Sequence, residues 1–481
     1  MKKTPYLDIL KSLLPDNEWE AFLESYNKPL SKNITTITHK WIQESEIHTQ
    51  IDGLSRPGQH FLHQWWFFYI QEQAASLPAQ ILLNDQEPST ILDMCAAPGG
   101  KSIQLANTWL PPVIARSRDD DSSRLMTKQS NFVVSNEPID PRRKALIFNI
   151  NRTGCYNTMV TSYDGTRIWT LFPETFDKIL IDAPCSWEGM NYKIAIQESR
   201  DELKIKKIAS LQYQLLKSGI LACKTWWTII YSTCTLNPIE NEWVIANIMQ
   251  EFSWKIELEN VDVEWKSTGI DNRRWEWIIE SNQASKLARF RPHRNHIGGF
   301  FIAKIVKTQN IASSVETFRQ NVSVETWFIT SPALQSEVRN HLQNEFGIQQ
   351  NDNYFFLATA NNIYITSSTY KNLPDHLKNN AGKIWIPIYD IYPERFGVGR
   401  TNNYIPTHHL GNILGHLATK NVIELSDQQA QDYSDHKDIS IPVETLHATS
   451  LSGGKFVILT RQKKWFSLGK IVDWRIKNKM I

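Results

Sequence analysis

From about residue 90 to 306 the chain alternates short apolar runs with longer amphipathic stretches. The runs predict strands at Thr90–Met94, Asn131–Ser135, Asn157–Thr161, Lys178–Asp182, Thr228–Ser232 and Gly299–Ile305. Between them, helical periodicity covers Pro141–Arg152 and Asp201–Cys223, where Ile208, Leu211, Leu215 and Leu216 share a face. Strand–helix alternation of this kind predicts an α/β sheet with helices on both faces. Residues 1–85 read as a small helical preface, with Leu7, Ile9, Leu10, Leu13 and Leu14 mostly on one side and a second apolar stretch near Phe22. Residues 115–130 are polar and read as an exposed insertion; residues 307–326 are polar and read as a linker. Beyond them, β-like runs at Phe355–Ala358, Ile363–Thr366, Lys383–Ile388 and Lys455–Thr460 predict a β-rich appendage. The expected divisions are therefore 1–85, a core at 86–306, the linker, an intermediate β-rich segment at 327–380, and a last domain at 381–481.

Composition narrows the class. At roughly 150 residues per domain, 481 residues make two to four domains, and 41% hydrophobic with 21% charged residues is the balance of a folded globular chain. No run approaches the ~18 apolar residues that span a bilayer, and MKKTPYLDIL lacks the apolar stretch of a signal peptide. The five cysteines include no CxxC pair, so free thiols in a reducing, cytoplasmic setting are expected. The 13 histidines show no metal-ligand spacing, and no metal is expected. A net charge of +2 means that any nucleic-acid contact must come from local patches.

The sharpest chemical signal is ILDMCAAPGGKS, residues 91–102. A strand ending in Asp93, a tight loop with two glycines, and a helix starting near Lys101 place free backbone N–H groups against a ligand. A P-loop is disfavoured, because Cys95 stands where its first glycine belongs, and a GxGxxG fingerprint is absent. An ordinary strand-to-helix turn is the plain alternative. Acidic residues follow successive strands: Glu137, Asp164 and Asp182. In a doubly wound sheet all three would face one crevice at the carboxyl ends of the strands, and the first suits a ribose diol. Two cysteine motifs, DAPCS at 182–186 and YSTCTLNPIENE at 231–242, also sit just past strand ends, in polar turns that favour chemistry over packing. Cys95, Cys155 and Cys223 have no such setting.

Taken together, CAAPGGK, DAPCS and YSTCTLNPIENE, in this order, resemble the RNA cytosine-5 methyltransferases of the Nop/Sun type over about residues 45–306. The resemblance implies a Rossmann-like core that uses S-adenosylmethionine, a small N-terminal subdomain and a β-rich, PUA-like RNA-binding C-terminal domain. It implies cofactor contacts from Cys95, Ala96, Ala97, Pro98, Gly99, Gly100, Lys101, Glu137, Asp164 and Asp182. It also implies Cys234 as the nucleophile and Cys185 as the thiol that assists product release. Asp182 can accept from the N4 amine of the target cytosine, and Lys193 is a candidate cation beside the base. RNA contacts are expected from the basic tail, Arg461, Lys463, Lys464, Lys470, Arg475 and Lys477, and from Arg289, Arg291 and Arg294 beside the core. Removing the tail from residue 381 is expected to weaken RNA binding and leave cofactor binding intact. Small-subunit ribosomal RNA is the expected substrate of a monomeric enzyme, tRNA the second candidate, and a non-catalytic RNA-binding assembly factor the alternative of a different class.

The chain departs from that family in two ways. ITTITHK (34–40) lacks the Arg and Asn of the family's IRVN-like run. Tryptophan stands where the family has glycine, at Trp187 after PCS, at Trp226 and Trp227, and at Trp66, Trp465 and Trp474. The chain holds 18 Trp and only 20 Gly, where an average chain of this length has about 34 Gly. One cause would account for all of these sites, a source that reads UGA as glycine, translated with a table that reads it as tryptophan; the alternative is a genuinely Trp-rich lineage.

Overall fold

The computed structural model describes residues 14–26, 32–37, 67–85, 87–107, 131–186, 202–263, 266–270, 279–311, 330–349, 353–359, 361–379, 386–393, 402–440, 455–461, 464–472 and 475–478, with Lys11, Gly58 and His63 besides. The insertion at 115–130, Lys193, Lys463, Trp66, Trp187 and Trp474 lie outside them, as do Leu7, Ile9, Leu10 and Leu13.

The preface is not wholly helical. After helix α1 (Trp19–Ser25) comes an antiparallel pair, β1 (Lys32–Thr36) and β2 (Phe68–Glu72), followed by α2 (Gln73–Leu82). The β-branched Ile34, Thr35 and Thr36 suit a pleated ribbon once a partner strand is present, and that partner lies more than thirty residues downstream. Glu18, just before α1, accepts from Arg294 Nε at 3.0 Å and meets His293 Nε2 at 2.7 Å. The Arg294 donor, aided by His293 and opposed by burial, holds the Glu18 carboxyl down at about 2.

The core runs β3 (Thr90–Asp93), α3 (Gly100–Ala106), β4 (Phe132–Asn136), α4 (Asp140–Thr153), β5 (Thr158–Thr161), β6 (Phe176–Asp182), α5 (Glu202–Ala222), β7 (Cys223–Thr233), α6 (Glu242–Phe252), β8 (Ile256–Glu259), β9 (Ala288–Phe290) and β10 (Phe300–Lys307). In space the strands stand in the order β5-β4-β3-β6-β7-β10-β8, with β9 also on β10. The first five are parallel, and β10 runs antiparallel to β7 and β8. Alternate residues feed two cores. Leu92, Val134 and Ile179 pack on the face that carries α5, and Ile91, Val133 and Leu180 on the opposite face with α2 and α4. Strands buried on both faces read as unbroken apolar runs, so all six expected strands are present. Strand β8 was not expected, since two of its four residues are exposed glutamates. The strand order reverses between β3 and β6, which opens a crevice at their carboxyl ends.

Beyond the core, α7 (Pro332–Phe346) precedes a four-stranded sheet of β11 (Tyr354–Ala358), β12 (Asn362–Ser367), β13 (Ile386–Pro393) and β14 (Asn402–Pro406). This sheet draws strands from both sides of the expected division at 380/381, and a helix opens the segment read as β-rich. The last unit is a five-stranded sheet of β15 (Val422–Glu424), β16 (Ile439–Ser440), β17 (Phe456–Arg461), β18 (Lys464–Val472) and β19 (Arg475–Lys477), in the order β15-β17-β18-β19-β16.

The tryptophans can now be placed on the backbone. Trp226 has φ of +69°, in the left-handed region that disfavours any residue with a Cβ. Its side chain is 74% exposed, an unusual setting for the largest apolar residue. It sits in the irregular entry of β7, where the register jumps from Phe176↔Cys223 to Lys178↔Thr228. Trp465 falls at another irregularity of this kind, the shift between Leu459 and Thr460 in the β17–β18 pair. Bulges of this sort commonly carry glycine. Trp227 differs, being partly buried against the core. Trp226→Gly is expected to stabilise the protein by about 1 kcal/mol, the left-handed penalty less the entropy cost of glycine. A denaturation midpoint that fell instead would remove the structural case for glycine at 226. The codons at 187, 226, 227, 465 and 474 give the direct check, since UGG throughout ends the idea of reassignment.

Candidate active site

The loop between β3 and α3 is shaped by its glycines. Gly99 adopts φ of +113°, and a Cβ there would lie 3.1 Å from Leu146 Cδ1 on α4. The loop is anchored by Met94 N–H donating to Leu180 O and Ala96 N–H donating to Asn136 O, both at 2.9 Å. Asn149 of α4 donates to the Pro98 carbonyl at 2.7 Å. Beneath the loop, Ser102 Oγ donates to Asp93 Oδ2 at 2.6 Å. Asp93 is fully buried, and burial, against the Ser102 donor and the Lys101 charge, pushes its carboxyl up to about 7.

These residues border a cavity that Cys95, Ala96, Ala97, Pro98, Gly100, Lys101 and Asp182 line together with Asp93. Tyr69 and Gln71 of β2 close it from the N-terminal side. Asp93 Oδ1 is buried with no hydrogen-bond partner, so the pocket holds an acceptor ready for a ligand N–H or O–H. A polar donor set over a narrow apolar loop fits a nucleoside with an amino-acid tail.

At the mouth, Lys101 and Asp182 form an ion pair, Nζ to Oδ2 at 2.6 Å. Ser232 Oγ donates to the other carboxylate oxygen at 2.8 Å, which fixes the plane of Asp182 and leaves lone pairs toward solvent. Burial works against the Lys101 ammonium, but Asp182, with Asp93 and the Cys234 thiol behind it, raises its pKa above the ordinary lysine value. Lys101 thus carries its ammonium from the start of α3 to the carboxyl end of β6.

Cys185 and Cys234, 49 residues apart, bring their sulfurs to 2.7 Å as free thiols. They follow β6 and β7, which are parallel neighbours paired through Asp182↔Ser232. A layer of buried polar groups behind them escaped the sequence reading. Glu240 accepts from the Ser186 N–H at 3.1 Å and from Gln212 Nε2 at 2.9 Å, and Gln212 Nε2 also donates to the Pro184 carbonyl at 2.9 Å. The two cysteine turns are therefore tied to one carboxylate. Burial, opposed by the Ser186 and Gln212 donors, raises the Glu240 pKa. Glu242 takes two bonds from Arg289, Nε at 2.6 Å and Nη2 at 2.5 Å, while Arg289 Nη1 donates to the Leu236 carbonyl at 2.8 Å. The only sequence sign of this layer was the acidic end of YSTCTLNPIENE.

Other expected site residues fall elsewhere. Glu137 is buried at the end of β4, accepts from Ile139 N–H at 3.0 Å, and pairs with Arg142 at 3.3 Å. Asp164 is exposed and accepts from Thr166 N–H at 3.0 Å. Neither belongs to the lining of the cavity. The reading of Arg289 as a phosphate contact is corrected, because it is 2% exposed and committed to Glu242. Arg294 is likewise engaged with Glu18. In the tail, Arg461 pairs with Asp427 and Lys477 with Asp438, each at 2.6 Å. Lys470 lies over the Phe456 ring at 5.4 Å, Arg475 is exposed, and the Lys464 side chain is outside the described residues. Among the described residues no cluster of His, Cys, Asp and Glu could hold a metal ion, and no helix is long and apolar enough to cross a membrane.

The parallel sheet with its antiparallel β10, the Gly-rich loop after β3 and the acid at the end of β6 define a Rossmann-like, S-adenosylmethionine-dependent methyltransferase. Residues 80–306 match the family model described as 16S rRNA methyltransferase RsmB/F. A relative from Vibrio parahaemolyticus, the ribosomal RNA small subunit methyltransferase F, is 25% identical over 98% of this chain and 95% of its own. A mouse 28S rRNA (cytosine-C(5))-methyltransferase is 32% identical over 50% of this chain and 28% of its own. The solved structure of NSun6 from Pyrococcus horikoshii with SFG shares the fold at TM-score 0.50 and 17% identity, covering 64% of this chain and 98% of that one.

Proposed function

We propose that the chain methylates C5 of a cytosine in RNA, with small-subunit 16S ribosomal RNA as the substrate. The observation that carries this reading is the pair of free thiols in contact beside the Lys101–Asp182 ion pair, at the mouth of the cavity. The names of relatives matching nearly the full chain support the substrate.

The residues Cys95–Lys101, Asp93 and Asp182 would hold the cofactor, which supplies an electrophilic methyl on a sulfonium sulfur. Cytosine C5 is too weak a nucleophile to take that methyl unaided. The Cys234 sulfur, as thiolate, adds to C6, and the ring's electron density moves to C5. Attack requires the thiolate, a form that a free cysteine mostly lacks at neutral pH. Once C5 holds the methyl, a base takes the C5 proton, the freed pair restores the C5–C6 double bond, and the pair of the Cys234–C6 bond returns to sulfur. Cys185, in contact with Cys234, assists that expulsion. Asp182 accepts from the cytosine N4 amine, which distinguishes cytosine from uracil. The base must leave its stack to reach this crevice. The five-stranded C-terminal unit acts as a PUA-like RNA-binding module, and the enzyme works as a cytoplasmic monomer.

Bisulfite sequencing of ribosomal RNA and tRNA, with and without the gene, is expected to show one 16S cytosine losing its protection. Loss in tRNA alone would move the substrate. No change in either RNA would leave the assembly-factor alternative.

A further inference from the structure

Strand β2 serves two masters at once through its period of two. Phe68 and Ile70 pack into a core made with Ile423, Val457, Leu459 and Ile471 of the C-terminal five-stranded unit. Tyr69 and Gln71, on the opposite face, line the cavity that Asp93, Lys101 and Asp182 also border. The strand rests directly on the cofactor loop, since a Cβ added at Gly100 would lie 2.6 Å from Gln71 Oε1 and 3.0 Å from Tyr69 Cε1. The Arg152 guanidinium sits over the Tyr69 ring at 5.6 Å and holds it in place. Gln71 Nε2 is buried and has no hydrogen-bond partner. A buried amide donor is rarely left unpaired without a ligand acceptor to serve.

We infer that Gln71 is a cofactor-binding residue, its amide donating to an acceptor of S-adenosylmethionine, and that the C-terminal module holds it in place through Phe68 and Ile70. The inference rests on the methyltransferase reading of the cavity. A two-stranded ribbon has little stability of its own, so its geometry over the pocket depends on the surface behind it. Anything that steadies the C-terminal module therefore tightens cofactor binding, and bound cofactor steadies the module by the same factor. This reverses the expectation that cofactor binding survives loss of the tail.

Calorimetric titration of the full chain with S-adenosylhomocysteine tests the proposal without turnover. Gln71→Ala is expected to weaken binding about tenfold with its denaturation midpoint unchanged. Ile70→Ala, which has no atom in the pocket lining, is expected to weaken binding several-fold. Leu258→Ala, on edge strand β8 in a core that holds no residue of the five-stranded unit, controls for general destabilisation and should bind as the parent does. Ile70→Val, smaller by one methyl group, replaces Ile70→Ala if that variant is too unstable to titrate. Parent-like binding by Gln71→Ala overturns the assignment of Gln71. Equal binding by the Ile70 and Leu258 variants overturns the role of the C-terminal module. A folded parent that shows no binding overturns the methyltransferase reading itself.

Discussion

Cys234→Ala is expected to abolish methyl transfer, while Cys185→Ala is expected to leave a covalent protein–RNA adduct visible as a slow band on denaturing gels. The two thiols touch, yet their surroundings differ. Cys234 is partly exposed and lies in the field of the Lys101 ammonium, and Cys185 is buried. Loss of the attacking sulfur leaves no thiolate positioned at C6. Loss of the assisting thiol leaves attack and methyl transfer possible and stalls only the final elimination. The distinguishing result is the reverse pattern: normal turnover by Cys185→Ala together with an adduct on Cys234→Ala would exchange the roles. Double replacement should give neither product nor adduct.

The second large effect concerns stability. Arg289 and Glu242 are 2% and 0% exposed, and they bond to each other twice. Arg289→Met leaves an uncompensated carboxylate in the interior, which typically costs about 3–5 kcal/mol. The denaturant midpoint should fall accordingly. Adding Glu242→Leu removes the stranded charge, so most of that stability is expected to return, with a coupling energy measurable by a double-mutant cycle. Activity should not return with it. Arg289 also donates to the Leu236 carbonyl, two residues beyond Cys234, and neither apolar side chain replaces that bond. Additive losses in the cycle would show that the pair is not the unit the geometry describes.

Much of the core was legible in the sequence for a definite reason. Parallel strands sealed on both faces can hold only apolar side chains over most of their length, as in β4, where all five residues are buried. Such runs stand out against amphipathic helices, and chemistry gathers just past their ends. The loop after β3 was equally legible, because its glycines answer to backbone geometry that few other residues tolerate. Strand β1 was not legible, since Lys32–Thr36 becomes a strand only by pairing with residues 68–72. Strand β8 was hidden by its exposed glutamates.

Charge was the least legible property. Arg289, Arg291 and Arg294 read as one basic patch, yet the fold buries Arg289 on Glu242 and sets Arg294 on Glu18. A sequence records which charges exist and says little about which are neutralised, because partners such as Glu18 and Arg294 lie 276 residues apart. By itself the sequence determined the order of strands and helices, the loop at 95–101, and which two cysteines stand at strand ends. Tertiary structure decided that those thiols meet, that Lys101 pairs with Asp182, and that one short strand joins the pocket to the C-terminal module. Local patterns specify elements because backbone and side-chain preferences act over a few residues; contacts across hundreds of residues exist only once the cores have closed.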